Sequence, residues 1–155
     1  MGVAVLEGSA LIYHGVEVFT RPRSRHQILS DGRTRMLRLM ADFRPEAVVM
    51  EKVLFANNQR TAILTVFVAE IVATIKRNRV PLVQLAPSSV KKIVCGNGHA
   101  DKGEVARSVV AHFPELSAYL RQDRKWKNSF QANRFDAVAV GLSVLGTVCS
   151  KAKAR

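Results

Sequence analysis

Cysteine, aromatic residues and acidic residues are all scarce in this chain, and each scarcity excludes something. The two cysteines, Cys95 and Cys149, form neither a metal-ligand spacing nor a disulfide framework. A reducing, cytoplasmic compartment is the expectation from that usage. No apolar run reaches the length of a membrane span, so no membrane partner is expected. The start, Met1-Gly2-Val3-Ala4-Val5, lacks the charged region and cleavage region of a secretory signal. Aromatic residues make up 6% of the chain, and Trp126 is the single tryptophan. That is too few for a platform on which successive unpaired bases stack. Acidic residues number 12 against 24 Lys and Arg, for a net charge of +12. Such an excess favours an anionic partner and fast, salt-sensitive association. Contacts to phosphates with readout of shape suit this composition best.

What is present suffices for one folded domain, with 155 residues of which 48% are hydrophobic. The expected domain covers residues 1–148, followed by a basic tail over 149–155. Residues 2–6 and 11–20 are β-branched and apolar, and Glu7-Gly8-Ser9-Ala10 separates them, which predicts a β-hairpin. A basic connection over 21–26 leads to a helix over 27–43, with Leu29, Met36, Met40 and Phe43 on one face. Gly32 weakens this helix near its start, and Pro45 ends it. Residues 47–51 predict a short buried strand, and 53–59 a loop. A long helix over 58–77 is apolar on more than one face, which asks for a second cover, either a partner subunit or further layers of its own domain. A strand over 81–85 and a helix over 88–94 follow. Asp101 and Glu104 form a capping box for a helix that Pro114 breaks. Residues 121–130 read as a polar basic loop, and a last helix begins near Asn133. The order β-β-α-β-α-β-α-α-α predicts a mixed α/β layer fold.

Only a few carboxylates are left once helix surfaces, loops and caps are set aside. Glu51 ends a buried apolar strand, a poor place for packing and a good one for holding a cation. Asp136 falls in the first turn of the last expected helix, where it also suits the helix dipole. Asn133 precedes it by one turn on the same face. A Glu, an Asp and an amide oxygen form a hard-oxygen set suited to Mg²⁺, and two such ions can clamp an in-line phosphoryl displacement.

Three stretches give the chain a resemblance. Val49-Met50-Glu51-Lys52-Val53-Leu54-Phe55-Ala56-Asn57-Asn58 is similar to the second acidic motif, with its following loop, of the RuvC family of Holliday-junction resolvases. Pro87-Ser88-Ser89-Val90-Lys91-Lys92-Ile93-Val94-Cys95-Gly96-Asn97-Gly98-His99-Ala100-Asp101-Lys102 resembles that family's basic, glycine-containing segment. Asn133-Arg134-Phe135-Asp136-Ala137-Val138-Ala139-Val140-Gly141 resembles its closing acidic helix. The resemblance runs from Gly2 to about Gly146. It implies an α/β RNase H-like three-layer fold, with a mixed central sheet flanked by helices. It also implies an Mg²⁺-dependent endonuclease, with Mn²⁺ as an alternative ion, that cuts four-way DNA junctions as a homodimer. Glu51, Asp136 and Asn133 would then be metal ligands, and Lys102 and Lys91 would balance charge at the scissile phosphates. Lys92, Asn58 and Arg60 would contact DNA, with Leu54 and Phe55 near the junction centre. Helix 58–77 would supply the dimer interface, and a branch-migration helicase is a further implied partner.

Two departures stand out. The family begins with a strand ending in Asp-x-Gly, whereas Met1-Gly2 stands where the later Thr-Gly belongs. The first strand is expected to be missing, with the true start upstream. Glu7-Gly8-Ser9 is a superficial substitute, since it would leave the meander one strand short and put Glu7 at a turn. Asn133 stands where an acid is usual. A catalytically degenerate junction-binding protein and an RNase H-like nuclease of structured RNA are the competing readings.

Overall fold

The computed structural model describes residues 1–19, 24–52, 59–120 and 125–152. They form two compact units, Met1–Glu17 with Leu85–Arg155, and Val18–Gln84.

The first unit opens with the expected hairpin. Strands β1 (Gly2–Glu7) and β2 (Ala10–Val16) pair antiparallel, with Gly2 opposite Val16 and Glu7 opposite Ala10. Gly8 takes φ +56° in the turn, a conformation glycine adopts without penalty. The Met1 amine donates to the Glu17 carbonyl at 2.8 Å, and Glu17 N–H returns a bond to the Met1 carbonyl at 2.7 Å. The second strand stops at Val16, short of the expected 20. The hairpin lies on α5 (Lys125–Ala152). Helices α3 (Pro87–Cys95) and α4 (Lys102–His112) pack on the same helix. A 3-10 helix, Pro114–Tyr119, follows α4 after the break at Pro114. The Asp101–Glu104 capping box is formed, with Glu104 N–H donating to Asp101 Oδ1 at 2.8 Å and Asp101 N–H to Glu104 Oε2 at 2.7 Å. Val109, Leu116 and Val138 are fully buried in this core.

The second unit holds α1 (Arg25–Phe43), β3 (Val48–Glu51), α2 (Gln59–Arg77) and most of β4 (Leu82–Leu85). Ser24 caps α1 by accepting from Gln27 N–H. Met36, Met40, Ile71 and Ile75 form its core, with Val48, Phe67, Val80 and Leu82 packed against them. Gly32 is buried in that helix pair, not a weak point near a helix start. A Cβ there would collide with the Phe67 ring, so its absence lets α1 approach α2.

Among the described residues, β1 pairs with β2 and β3 pairs with β4. One expectation changes. Helix α5 starts at Lys125, not near Asn133. Its opening stretch holds neither proline nor glycine, so a basic, polar composition was no barrier to helix.

Gly2 is the tightest point of the first unit. A Cβ at Gly2 would run into the Asn133 backbone carbonyl, which has nowhere to go within α5. Gly2→Ala is therefore expected to destabilise the protein by about 1–3 kcal/mol, the usual cost of overpacking. Urea denaturation measures it, and an unchanged midpoint would show that the contact is loose.

Candidate functional site

The expected site residues fall into three groups. Asp136, Lys102, Lys91, Lys92 and Asn133 belong to the first unit, and Glu51 belongs to the second. Leu54, Phe55 and Asn58 lie outside the described residues, as does the side chain of Arg60 within α2. The structure brings Asp136 together with Lys102 and Lys91. Glu51 closes β3 as expected and is partly buried.

Asp136 lies about three turns inside α5, counting from Lys125, so the dipole of a first turn no longer explains it. It is half-buried, and among the described residues it has no hydrogen-bond or ion-pair partner. Burial pushes its carboxyl above the usual range, and the charges of Lys102 and Lys91 pull in the opposite direction. Lys102 is the first residue of α4, beside the capped Asp101, and Lys91 lies on α3. Both helices pack on α5, which brings the two cations to the Asp136 face. Asp101 is held below the ordinary range, first by the Glu104 N–H of its cap. Asp101 is exposed and serves as the cap of α4, so the partly desolvated carboxylate near Lys102 is Asp136.

Asn133 is exposed one turn before Asp136, and its carbonyl abuts Gly2. Lys92 is exposed on α3. Its carbonyl accepts the N–H of Gly96, which ends that helix at φ +73°. Among the described residues, no group of three or more His, Cys, Asp or Glu forms a ready metal cluster. Asp136 nonetheless fits a hard cation as a single oxygen donor, because a desolvated carboxylate without a bonded partner gains most from one.

Sequence reasoning missed a second constellation on α5. The Arg134 guanidinium lies 3.8 Å over the Tyr119 ring centroid. The His14 ring meets Tyr119 edge-on at 5.6 Å between centroids. Arg134 Nη1 donates to Gln131 Oε1 at 2.6 Å. Burial, then the Arg134 charge, hold the His14 imidazole below its usual pKa, against a smaller opposing pull from Glu115. Helical spacing could have placed Arg134 and Gln131 on one face, about one turn apart. Nothing in the sequence announces the ring of Tyr119 as their partner.

A carboxylate with a raised pKa has a testable consequence. Between its unfolded and folded pKa values the folded protein binds more protons than the unfolded chain. Stability therefore falls as pH rises through that window and stays lower above it. Asp136→Asn removes the loss. In metal-free buffer it is expected to raise the thermal midpoint at pH 7, and to leave it unchanged below about pH 4, where the free carboxyl is protonated. A lower midpoint at pH 7 would mean that Asp136 holds structure together instead.

Comparisons with known proteins identify the family of the chain. The family model described as crossover junction endodeoxyribonuclease RuvC matches residues 4–142. A protein named crossover junction endodeoxyribonuclease RuvC from Carboxydothermus hydrogenoformans is 31% identical over 109 residues, covering 68% of this chain and 69% of that protein. One of the same name from Thermosipho melanesiensis is 32% identical, covering 70% and 73%. A relative from Synechococcus sp. strain RCC307 is matched over 57% of its length. Thermus thermophilus RuvC shares the fold with a TM-score of 0.68 at 24% identity, over 96% of this chain and 88% of that one. The same protein in complex with a Holliday junction substrate also has a TM-score of 0.68, over 92% and 82%. The chain belongs to the RuvC family of crossover junction endodeoxyribonucleases.

Proposed function

We propose that this chain is a Holliday-junction resolvase, a structure-selective endodeoxyribonuclease that cuts branched DNA by metal-dependent phosphodiester hydrolysis. The observation that carries the reading is Asp136, a half-buried carboxylate without a bonded partner among the described residues, faced by Lys102 and Lys91. A phosphate approaching this face meets the attraction of both lysine charges. Lys102 and Lys91 hold the scissile phosphate and offset the charge that grows on it as the bond breaks. Asp136 would hold a divalent cation, Mg²⁺ by preference or Mn²⁺, with Asn133 adding a neutral amide oxygen, and Glu51 is assigned a metal-ligand role on the strength of the family motif alone. When bound, such an ion would supply the positive charge for polarising a phosphate and activating a water. Lys92 engages the backbone further from the cut. Leu54, Phe55, Asn58 and Arg60 are assigned to the junction-contacting segment on the strength of the family motif alone. The excess of basic residues makes binding salt-sensitive. A branch-migration helicase is the expected functional partner, acting on the same DNA in the cytoplasm.

The protein acts as a dimer through α2. Ile71 and Ile75 of that helix are buried, whereas Ile63, Leu64 and Val66 are 38%, 49% and 53% exposed. Three large apolar side chains at neighbouring positions favour a second copy as cover. An open groove of about 350 Å³, lined by Ile28, Leu29, Ala62, Ile63 and Val66, lies between α1 and α2 and extends the apolar patch.

A synthetic four-way junction with Mg²⁺ tests the activity. Paired nicks are expected from the wild type, with a fall of about a thousandfold or more for Glu51→Gln or Asp136→Asn. Lys102→Ala is expected to cut about a hundredfold more slowly, the usual loss for one charge-stabilising donor. Tight junction binding without cutting would favour the degenerate binder, and cutting confined to RNA would favour the RNA nuclease. Sedimentation at micromolar concentration tests the dimer. A dimer is expected for the wild type and a folded monomer for Leu64→Glu combined with Val66→Glu.

A further inference from the structure

We propose that the groove between α4, the 3-10 helix and α5 receives one unpaired nucleobase of the DNA strand whose phosphate Lys102 holds. The inference rests on the nuclease reading above and adds a base subsite to it. The groove has a volume of about 370 Å³, and Lys102, Ala106, Tyr119, Gln131, Ala132 and Phe135 line it. That volume lies in the range of pockets that take small ring-shaped ligands.

Three features select the occupant. Lys102 belongs to both places, since it lines the groove and its charge acts on Asp136. A phosphate bound there leaves its own nucleoside at the mouth of the groove. The floor is apolar and firm, with Phe135 at 4% exposure and Ala106 at 6%. A flat apolar floor suits the face of a base, and every base presents one. A buried polar group in the wall is Gln131, 8% exposed. Its Oε1 is taken by Arg134, which fixes the amide and leaves the NH₂ as donor. An amide donor at the wall of an apolar slot suits the carbonyl of a base edge.

The missed constellation explains how that wall stays in place. Arg134 stacks on Tyr119 and bonds Gln131, so one guanidinium orients two lining residues. His14 braces the same tyrosine from β2. Among the described residues, Arg134 Nε and His14 Nδ1 are buried without hydrogen-bond partners. Keeping such groups inside costs stability, which packing needs alone do not require. Arg134 is thus a positioning residue for the subsite.

The test places an abasic site, one nucleotide at a time, across the positions flanking the cut in a four-way junction. Affinity is read in Ca²⁺ and cutting in Mg²⁺, for the wild type, Ala132→Phe and Gln131→Leu. In the wild type, one position is expected to lose about tenfold in affinity when its base is removed, the scale of one base contact. Ala132→Phe fills the slot. It is expected to bind the intact junction about tenfold more weakly and to show no further loss at that position. Gln131→Leu keeps the slot open and is expected to show a smaller, position-specific loss. Equal affinity of wild type for every abasic junction overturns the subsite, as does an abasic loss that persists in Ala132→Phe. Because affinity is read without cutting, a protein that binds with the positional loss yet never nicks would sink the nuclease reading and leave the subsite standing.

Discussion

The close approach of β1 to α5 at Gly2 is the constraint on which the first unit depends. Where a strand crosses a helix at the width of a glycine, neither element can slide without opening the contact. Helix α5 is the shared support of that unit, because β1, β2, α3 and α4 all pack on it. Its interior turns carry Asn133, Arg134 and Asp136 in succession, each pointed to a different task. The Asn133 backbone meets the strand, Arg134 meets the 3-10 helix, and Asp136 meets the lysines of α3 and α4. One rigid element therefore sets the spacing of the carboxylate, its counter-charges and the groove beside them.

The electrostatics of this arrangement favour function over stability. A half-buried carboxylate with a raised pKa is a cost in the metal-free protein, and the neighbouring lysines only partly offset it. A packing-driven design would put an apolar residue at that place on α5. The combination suits a site that must attract a polyanion and then hold a cation beside it. The same logic applies to Arg134 and His14, whose unbonded buried nitrogens have no packing advantage.

Much of this was legible in the sequence. The hairpin, the capping box at Asp101 and the strand ending in Glu51 follow from local patterns that tertiary packing had no reason to override. The pairing of Lys91, Lys102 and Asp136 came from motif order, and the packing of α3 and α4 on α5 brings it about. Other features were hidden for physical reasons. Gly32 read as a helix weakness because sequence shows its entropy cost and not the Phe67 ring it admits. Asp136 read as a first-turn residue because a run of polar and basic residues looks like a loop until it is extended from a helix. The Tyr119–Arg134 stack joins residues distant in sequence through a short 3-10 helix, which has no periodic signature.

In the proposed role, Asp136 binds a divalent cation beside a phosphate. Titration with Mn²⁺ followed by electron paramagnetic resonance measures that binding directly, without DNA or turnover. The account predicts that wild-type protein takes up Mn²⁺ and that Asp136→Asn, folded and at least as stable, binds it about tenfold or more weakly. Equal Mn²⁺ affinity in the two proteins would contradict it.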